Sequence, residues 1–342
     1  MDTSILGTLS LIAPDLMEKI ELRTLVLERV AALGPIGRRA LAARLHLAER
    51  EVRAAADALK EADCITQSAS GMELTPHGQN LVEAARTVSR GRRTLAATEL
   101  ALSRKLGVER VCVVRGDADM DESVLSEAAH AAARQIRFLL QDAQVLAVSG
   151  GRTIGLTAEA VALAAPMDVT VVPARGGMGG GVKTQANTLA EEFARRLGGR
   201  HRLLHLPDGL SSVAADELSH LPQVREALEL LRHADVLLYG IGRAQELALR
   251  RGMGAHERDN LMREGAVAEA LGFYFDAQGQ VVGGGESLAL DARDIGRKNR
   301  AAAVAAGSGK AEAIMAVCAH HPHKLLVTDE GAATRMMELL RM

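Results

Sequence analysis

From about residue 107 onward, short runs of Val, Leu and Ile alternate with glycine clusters and alanine-rich stretches of helical periodicity. No other feature narrows the fold as much, because repeated strand–helix units build a largely parallel sheet with helices on its faces. The pattern predicts strands at Arg110–Val114, Val145–Val148, Val169–Val172, Leu203–Leu206, Val236–Tyr239 and Leu325–Val327. It predicts helices at Asp121–Leu140, Ile154–Ala165, Thr184–Leu197, Pro222–Leu231, Lys310–Ala319 and Ala332–Leu340. Most of these strands are apolar along their whole length, as strands covered on both sides are. The fold class expected here is a doubly wound α/β domain. One stretch departs from the pattern. Asp276-Ala277-Gln278-Gly279 lies between Phe273–Phe275 and Val281-Val282 and predicts a hairpin, hence a peripheral antiparallel piece.

Before residue 107 the periodicity is helical nearly throughout. Leu22, Leu25, Val26, Val30 and Leu33 form an amphipathic stripe over Leu22–Leu33. Gly34-Pro35-Ile36-Gly37 stops that helix, Arg38–Leu45 makes a second, His46-Leu47 turns, and Ala48–Ala62 makes a third. Ile65–Gln67 and Met72–Leu74 flank a Ser68–Gly71 turn as the strands of a wing would, and Thr75-Pro76 opens the next helix with Pro at its first position. This is the layout of a winged helix-turn-helix. Arg50 and Arg53 stand at the start of the third helix, within reach of guanine edges or phosphates in a major groove, and Arg38 and Arg39 precede them. A three-helix packing module would show the same periodicity. The wing favours DNA, and so does the local charge: Arg38–Arg53 holds five arginines against Glu49 and Glu51, while Glu21–Asn80 as a whole is balanced at eight against eight.

Arg86–Lys105 is a basic helix with Arg86, Arg90, Arg92, Arg93, Arg104 and Lys105 against Glu99. It connects the two parts and either touches phosphates, packs on a second subunit or is a solvated face. The expected organisation is a reader over 1–85, a linker helix over 86–107 and an effector and oligomerisation domain over 108–342.

The 342 residues suit two or three domains. Aromatics are only 2% with no Trp, which excludes a platform of stacked bases, and the net charge of −2 excludes wholesale electrostatic binding to nucleic acid. Cys64, Cys112 and Cys318 lie far apart and form no CxxC pair, which fits reduced thiols. The first twenty residues hold Asp2, Asp15 and Glu18 without a basic start, and no apolar run reaches the ~18 residues of a membrane helix. The expected compartment is the cytoplasm, with no membrane partner.

Chemistry concentrates in the loops after the strands. Val145–Val148 runs into Ser149-Gly150-Gly151-Arg152-Thr153, and a helix is expected from Ile154. A strand, a glycine turn and a helix N-terminus aim free N–H groups at one point, where the helix dipole favours an anion. The hydroxyls of Ser149 and Thr153 and the guanidinium of Arg152 add donors. Arg175 lies at the end of the next strand, where open α/β sheets bind ligands. Tyr239-Gly240-Ile241-Gly242 fails the dinucleotide spacing because Gln245 replaces the third glycine. Gly307-Ser308-Gly309-Lys310 fails as a nucleotide loop, since Val304 and Ala311 occupy the first-glycine and hydroxyl positions, but Lys310 remains a phosphate clamp. His320-His321-Pro322-His323 is expected to diverge around the proline and to hold no metal. His205 and Asp208 read as a hydrogen-bonded loop pair.

Taken in order, these loops resemble those of the SorC family of bacterial regulators. The resemblance rests on Ser149–Ile154, Val172–Gly177, Gln185–Asn187, Gly240–Gly242, Phe273–Phe275, Gly309–Ile314 and Val327–Ala333, with Pro35–Arg39 and Ser68–Met72 in the reader. It runs from about residue 20 to the end. It implies a fold related to sugar-phosphate isomerases and aminosugar-phosphate deaminases, used for sensing, in a repressor of glycolytic genes. The effector implied is fructose 1,6-bisphosphate, and no cofactor is implied. Carried over by position, Ser149, Gly150, Gly151, Arg152, Thr153, Arg175 and Lys310 hold one phosphate. Gln185, Arg250 and Glu269 meet the sugar and the second phosphate. Arg152 stands where the family usually has Thr, and Asp63 where a Gly commonly ends the recognition helix. Operator DNA is the expected partner, bound by a homodimer or homotetramer. The alternatives are a sugar-phosphate isomerase or deaminase, which would need a base and a proton shuttle drawn from His205, Asp208 and Glu269, and an oligomerisation domain whose N-terminal module binds protein.

Overall fold

A computed structural model describes residues 14–45, 47–141, 144–162, 166–176, 181–206, 212–284, 290 and 301–341, and within the helices it leaves the side chains of 83–94 undescribed, those of Arg86, Arg90, Arg92 and Arg93 included. The chain divides into two compact units, residues 1–97 and 98–342.

The first unit is a winged helix-turn-helix. Helix α1 (Pro14–Leu33) is followed by α2 (Arg38–Leu45), α3 (Glu49–Glu61), β1 (Ile65–Ser68), β2 (Gly71–Leu74) and the start of α4 (Pro76–Leu106). From the predicted stripe on α1, Val26 and Val30 enter the core and Leu22 and Leu33 pack against it; Leu27, outside the stripe, joins them, with Leu41, Val52, Ala55, Ala56, Leu59, Ile65 and Met72. β1 and β2 pair antiparallel, Ile65 opposite Leu74, and Ile36 bridges Met72 to tie the loop after α1 to the wing. Asp63 adopts a left-handed conformation (φ 53°) at the end of α3, the geometry that favours glycine there.

The second unit is built on a seven-stranded, all-parallel sheet. Its strands are β3 (Arg110–Val114), β4 (Val145–Val148), β5 (Thr170–Pro173), β6 (Arg200–His201), β7 (Val236–Gly240), β12 (Ala301–Val304) and β13 (Leu325–Asp329), in the spatial order β3-β13-β12-β7-β4-β5-β6. Helices α5 (Ser123–Leu139), α6 (Arg152–Ala160) and α7 (Ala186–Leu197) follow β3, β4 and β5, and their apolar sides meet the sheet in one large core. The chain then runs back across the sheet through α8 (Ser212–Ser219) and α9 (Pro222–Arg232) to β7. Right-handed crossovers in the reverse direction put the later helices, α9 among them, on the opposite face. A second sheet is antiparallel, in the order β11-β10-β9-β8, from β8 (Gly242–Arg243), β9 (Ala268–Ala270), β10 (Phe273–Phe275) and β11 (Val281–Gly284). It contains the predicted hairpin. Helices α10 (Ala244–Arg250) and α11 (Ala255–Arg263) lie between β8 and β9, and α12 (Ala311–His320) and α13 (Glu330–Leu339) complete the unit.

Three local expectations are corrected. Leu203–Leu206 is not a strand: the edge strand is Arg200–His201, and beyond it the Asn187 side chain takes the place of a neighbouring strand. Its amide donates to Leu204 O (3.0 Å) and accepts from Leu204 N (2.9 Å). β12 was not expected, because Ala-Ala-Ala-Val reads as helix by propensity; all four residues are fully buried between β7 and β13. Helix α6 begins at Arg152, two residues early, so Arg152 and Thr153 belong to its first turn.

Candidate functional site

Adjacent strands β4 and β7 send their connections in opposite directions, β4 toward β5 and β7 toward β12. The crevice outside their carboxyl ends is the topological switch point at which open α/β sheets bind ligands. Ser149–Gly151 and the first turn of α6 follow β4, and Ile241 and the short strand β8 follow β7. Ser149 N donates to Leu238 O (2.9 Å), which fixes the first loop against β7.

Gly151 makes the turn into α6 with φ 119°, a conformation a side chain would strain. Its N–H donates to Thr184 O (2.9 Å), and a Cβ on Gly150 would come within 2.7 Å of the same oxygen. The glycines therefore bind the loop to the 3-10 turn Val182–Thr184 and place Gln185, the residue after that turn, beside it. Gly155 N makes the first intrahelical bond, to Gly151 O. The amides of Arg152, Thr153 and Ile154 precede it, so they are available at the positive end of the helix dipole. Ser149 is buried, with its hydroxyl on Gly150 O (3.0 Å). The Arg152 guanidinium is drawn off the loop into an exposed ion pair with Glu122.

The Gly307–Lys310 turn after β12 has a different character. Gly307 N donates to Asp329 Oδ2 (2.7 Å), Ser308 N to Asp117 Oδ1 (3.0 Å) and Gly309 N to Asp119 Oδ2 (2.7 Å). Each backbone donor that the sequence offered to a phosphate is met by a carboxylate of the protein. Asp329 is fully buried and also accepts from Ala118 N (2.7 Å) and Ala332 N (2.9 Å), capping α13. Burial pushes the Lys310 ammonium below its usual range, while Asp119, Glu246 and Asp329 pull it back up and Arg250 opposes them. The structure thus groups Lys310 with Arg250, and Arg243 belongs to the same group. It pairs with Glu246, feels the charge of Asp119, and lies 3.3 Å from where a Gly309 Cβ would be.

Arg175, at the end of β5, lies against Gly272, where a Cβ would collide with its guanidinium. Gly272 and Leu271 (φ 54°) form the tight corner between β9 and β10, with both residues left-handed. A leucine held there is a strained feature at a candidate site. Glu269, buried, accepts from Gly272 N (2.6 Å) and pairs with Arg251, whose guanidinium lies 5.8 Å from the Tyr274 ring centre. Arg175 and Arg251 both favour the ionised form of the Tyr274 phenol, against the burial that raises it. Glu269 and Arg175 are therefore brought together. Arg251, Arg243, Asp117 and Asp119 were missed by sequence reasoning. The rule that ligands collect at strand carboxyl ends would have found the two aspartates, which follow β3.

One further sequence reading is corrected here. His321 and His323 do not diverge. Their rings are 4.3 Å apart, and both present Nε2 to the Tyr239 hydroxyl, His321 at 3.3 Å, in a buried cluster. His205 is exposed, and Asp208 lies outside the described residues.

In the first unit, Arg39 and Arg53 each lie 3.3 Å from Glu49, and Arg38 lies 3.6 Å from Asp57. Arg50 is exposed and has no ion pair among the described residues. Surface pairs of this kind contribute about 0–1 kcal/mol, so these arginines can exchange their partners for phosphates at little cost.

Comparison with known proteins gives these sites a context. Residues 93–338 match the sugar-binding domain family, and residues 20–89 match the CggR N-terminal DNA binding domain. The central glycolytic genes regulator of Bacillus subtilis (strain 168) is 35% identical over 325 residues, 95% of this chain and 96% of that protein. The regulator of the same name from Priestia megaterium is 36% identical over 95% of each chain. The crystal structure of a SorC family transcriptional regulator from Enterococcus faecalis covers 70% of this chain and 99% of its own, with 33% identity and a TM-score of 0.66. These relatives are transcriptional regulators and not enzymes, so the isomerase or deaminase alternative falls. The chain belongs to the SorC family of sugar-binding transcriptional regulators, among the relatives of the central glycolytic genes regulators.

Proposed function

We propose that this protein represses glycolytic genes by binding operator DNA as a homodimer or homotetramer in the cytoplasm, and that fructose 1,6-bisphosphate controls that binding. The observation that carries this reading is the layout of the switch-point crevice. In this reading the open helix N-terminus at Ser149–Thr153, with Arg175 and Lys310, takes one phosphate. Gln185, Arg250 and Glu269 meet the sugar and the second phosphate, as an effector phosphorylated at both ends requires. The first unit reads DNA through Arg38, Arg39, Arg50 and Arg53, with residues 86–107 as the connector to an effector domain over 108–342. The names of the two glycolytic regulators support the choice of target genes.

Calorimetry with fructose 1,6-bisphosphate, fructose 6-phosphate and fructose tests the assignment. The bisphosphate is expected to bind tightest, and Lys310→Ala and Arg250→Ala are each expected to weaken it. A charge-assisted hydrogen bond contributes about 1.5–3 kcal/mol, roughly a ten- to hundredfold loss. Equal affinity for the three sugars, or wild-type affinity in both variants, would overturn the assignment.

A further inference from the structure

The Gly-Ser-Gly turn before Lys310 is a nest of three successive backbone donors, and all three are occupied by side-chain carboxylates. The three occupants differ. Asp329 is fully buried and is held by three backbone amides. Asp117 is half-buried and also accepts from Asp119 N (3.0 Å). Asp119 alone is exposed, on the loop between β3 and α5, and it is the one whose charge bears on both Lys310 and Arg243. Besides Gly309 N, its Oδ2 lies 3.5 Å from the Ser308 hydroxyl. A carboxylate in this position makes the contacts that an incoming phosphate oxygen would make with the turn, and its charge bears on the lysine as a phosphate's would.

We infer that Asp119 is a built-in competitor for the effector's phosphate: it fills the anion place at Gly309 and Lys310 in the free protein and must be displaced, or repel the ligand, when a phosphate enters. This rests on the proposal that the crevice takes a phosphorylated sugar, but not on which sugar. Asp119 is then a residue that sets the affinity, and hence the effector concentration at which the regulator responds. Removing it is expected to tighten binding, the opposite of what loss of a structural contact does. Two like charges about 4 Å apart give roughly a fivefold effect at the dielectric of water and up to roughly a thousandfold at that of a protein surface, so a tightening of at least about fivefold is expected.

The test is calorimetry of full-length Asp119→Asn with fructose 1,6-bisphosphate and, separately, with inorganic phosphate. Asp121→Asn serves as the control. It removes the same charge from the same loop at a side chain that accepts from Ser123 N (2.9 Å), at the start of α5, and not from the turn. The inference predicts tighter binding of both probes to Asp119→Asn, little change in Asp121→Asn, and near wild-type affinity in Asp119→Glu. Unchanged or weaker binding of both probes by Asp119→Asn would overturn it, and so would equal tightening in the Asp121 control. Tightening for inorganic phosphate alone, with no fructose 1,6-bisphosphate binding in any variant, would keep this inference and remove the sugar assignment. Absence of binding by either probe would remove both.

Discussion

Replacing Asp329 by alanine should cost the second unit about 3 kcal/mol and loosen the effector crevice. The side chain is fully buried and accepts three backbone N–H bonds, from Ala118 and Gly307 at 2.7 Å and from Ala332 at 2.9 Å. One of these is the N-cap of α13, and loss of such a cap costs about 0.5–2 kcal/mol. The other two join the loop after β3 and the Gly307 turn to the end of β13. A buried donor left unmet costs about 1–3 kcal/mol. Relief from burying the carboxylate, and water entering the space it leaves, offset part of the sum. Asp329→Asn preserves shape, but its single carbonyl oxygen serves either the two partners of Oδ2 or the one of Oδ1, so roughly 2 kcal/mol should still be lost. Urea denaturation of the full chain measures this. At a slope of ~2–3 kcal/mol/M for a unit of this size, the midpoint should fall by about 1 M for alanine. Because the Gly307–Lys310 turn loses its anchor, affinity for the sugar phosphate should fall as well. A change under 0.5 kcal/mol with intact affinity would refute the claim that this carboxylate organises the turn.

Other outcomes follow from the same structure. Arg50→Ala and Arg53→Ala should weaken operator binding without altering effector affinity, by about 1–3 kcal/mol at a single base position if the arginine reads a base, or on all sequences if it meets phosphate; wild-type binding in gel-shift titrations of both would relocate the recognition surface. Burial holds His323 down at about 4 and His321 down at about 2, so both are neutral in the fold at pH 7. Below pH 6.5 the unfolded chain takes up protons that the fold refuses, and stability should fall with pH at up to about 1.4 kcal/mol per unit for each histidine. Urea titrations at pH 7 and 5.5 should show this loss and a smaller one in His323→Asn; equal losses would contradict it. Burial pushes Cys112 up to about 11 and Cys318 up to about 12, and raises Cys64, so a thiol reagent at pH 7.5 should react slowly with native protein and take three equivalents after unfolding. A fast native thiol would contradict that reading.

Much of the architecture was written in local pattern. The apolar stripe of Leu22–Leu33, the glycine turn of the wing and the apolar strands other than Leu203–Leu206 each obey a short-range rule, and they appear where those rules put them. The helix N-terminus after β4 was legible for the same reason. What escaped depends on tertiary setting. Ala301–Val304 is a strand because only small side chains suit a central position covered on both sides, which outweighs its propensity. The Asn187 contacts that replace a strand at Leu204 join residues 17 positions apart. Lys310 was legible as a cation, but two of the three aspartates around its turn, Asp117 and Asp119, come from a loop nearly 200 residues earlier, and only the sheet order, with β3 beside β13, brings them together. Glu269 and Arg251 likewise meet through the fold of the small sheet.

In the proposed function the crevice controls the reader. The direct measurement is the affinity of the full-length protein for fructose 1,6-bisphosphate with and without saturating operator DNA. Linkage requires that whatever factor the effector imposes on DNA binding, DNA imposes on effector binding; couplings of about 1–3 kcal/mol correspond to a roughly 5–150-fold change. A difference within that range is expected, equal to the change in DNA affinity measured in the reverse titration. The same effector affinity in both titrations, with no change in the stoichiometry or cooperativity of the DNA complex, would contradict it.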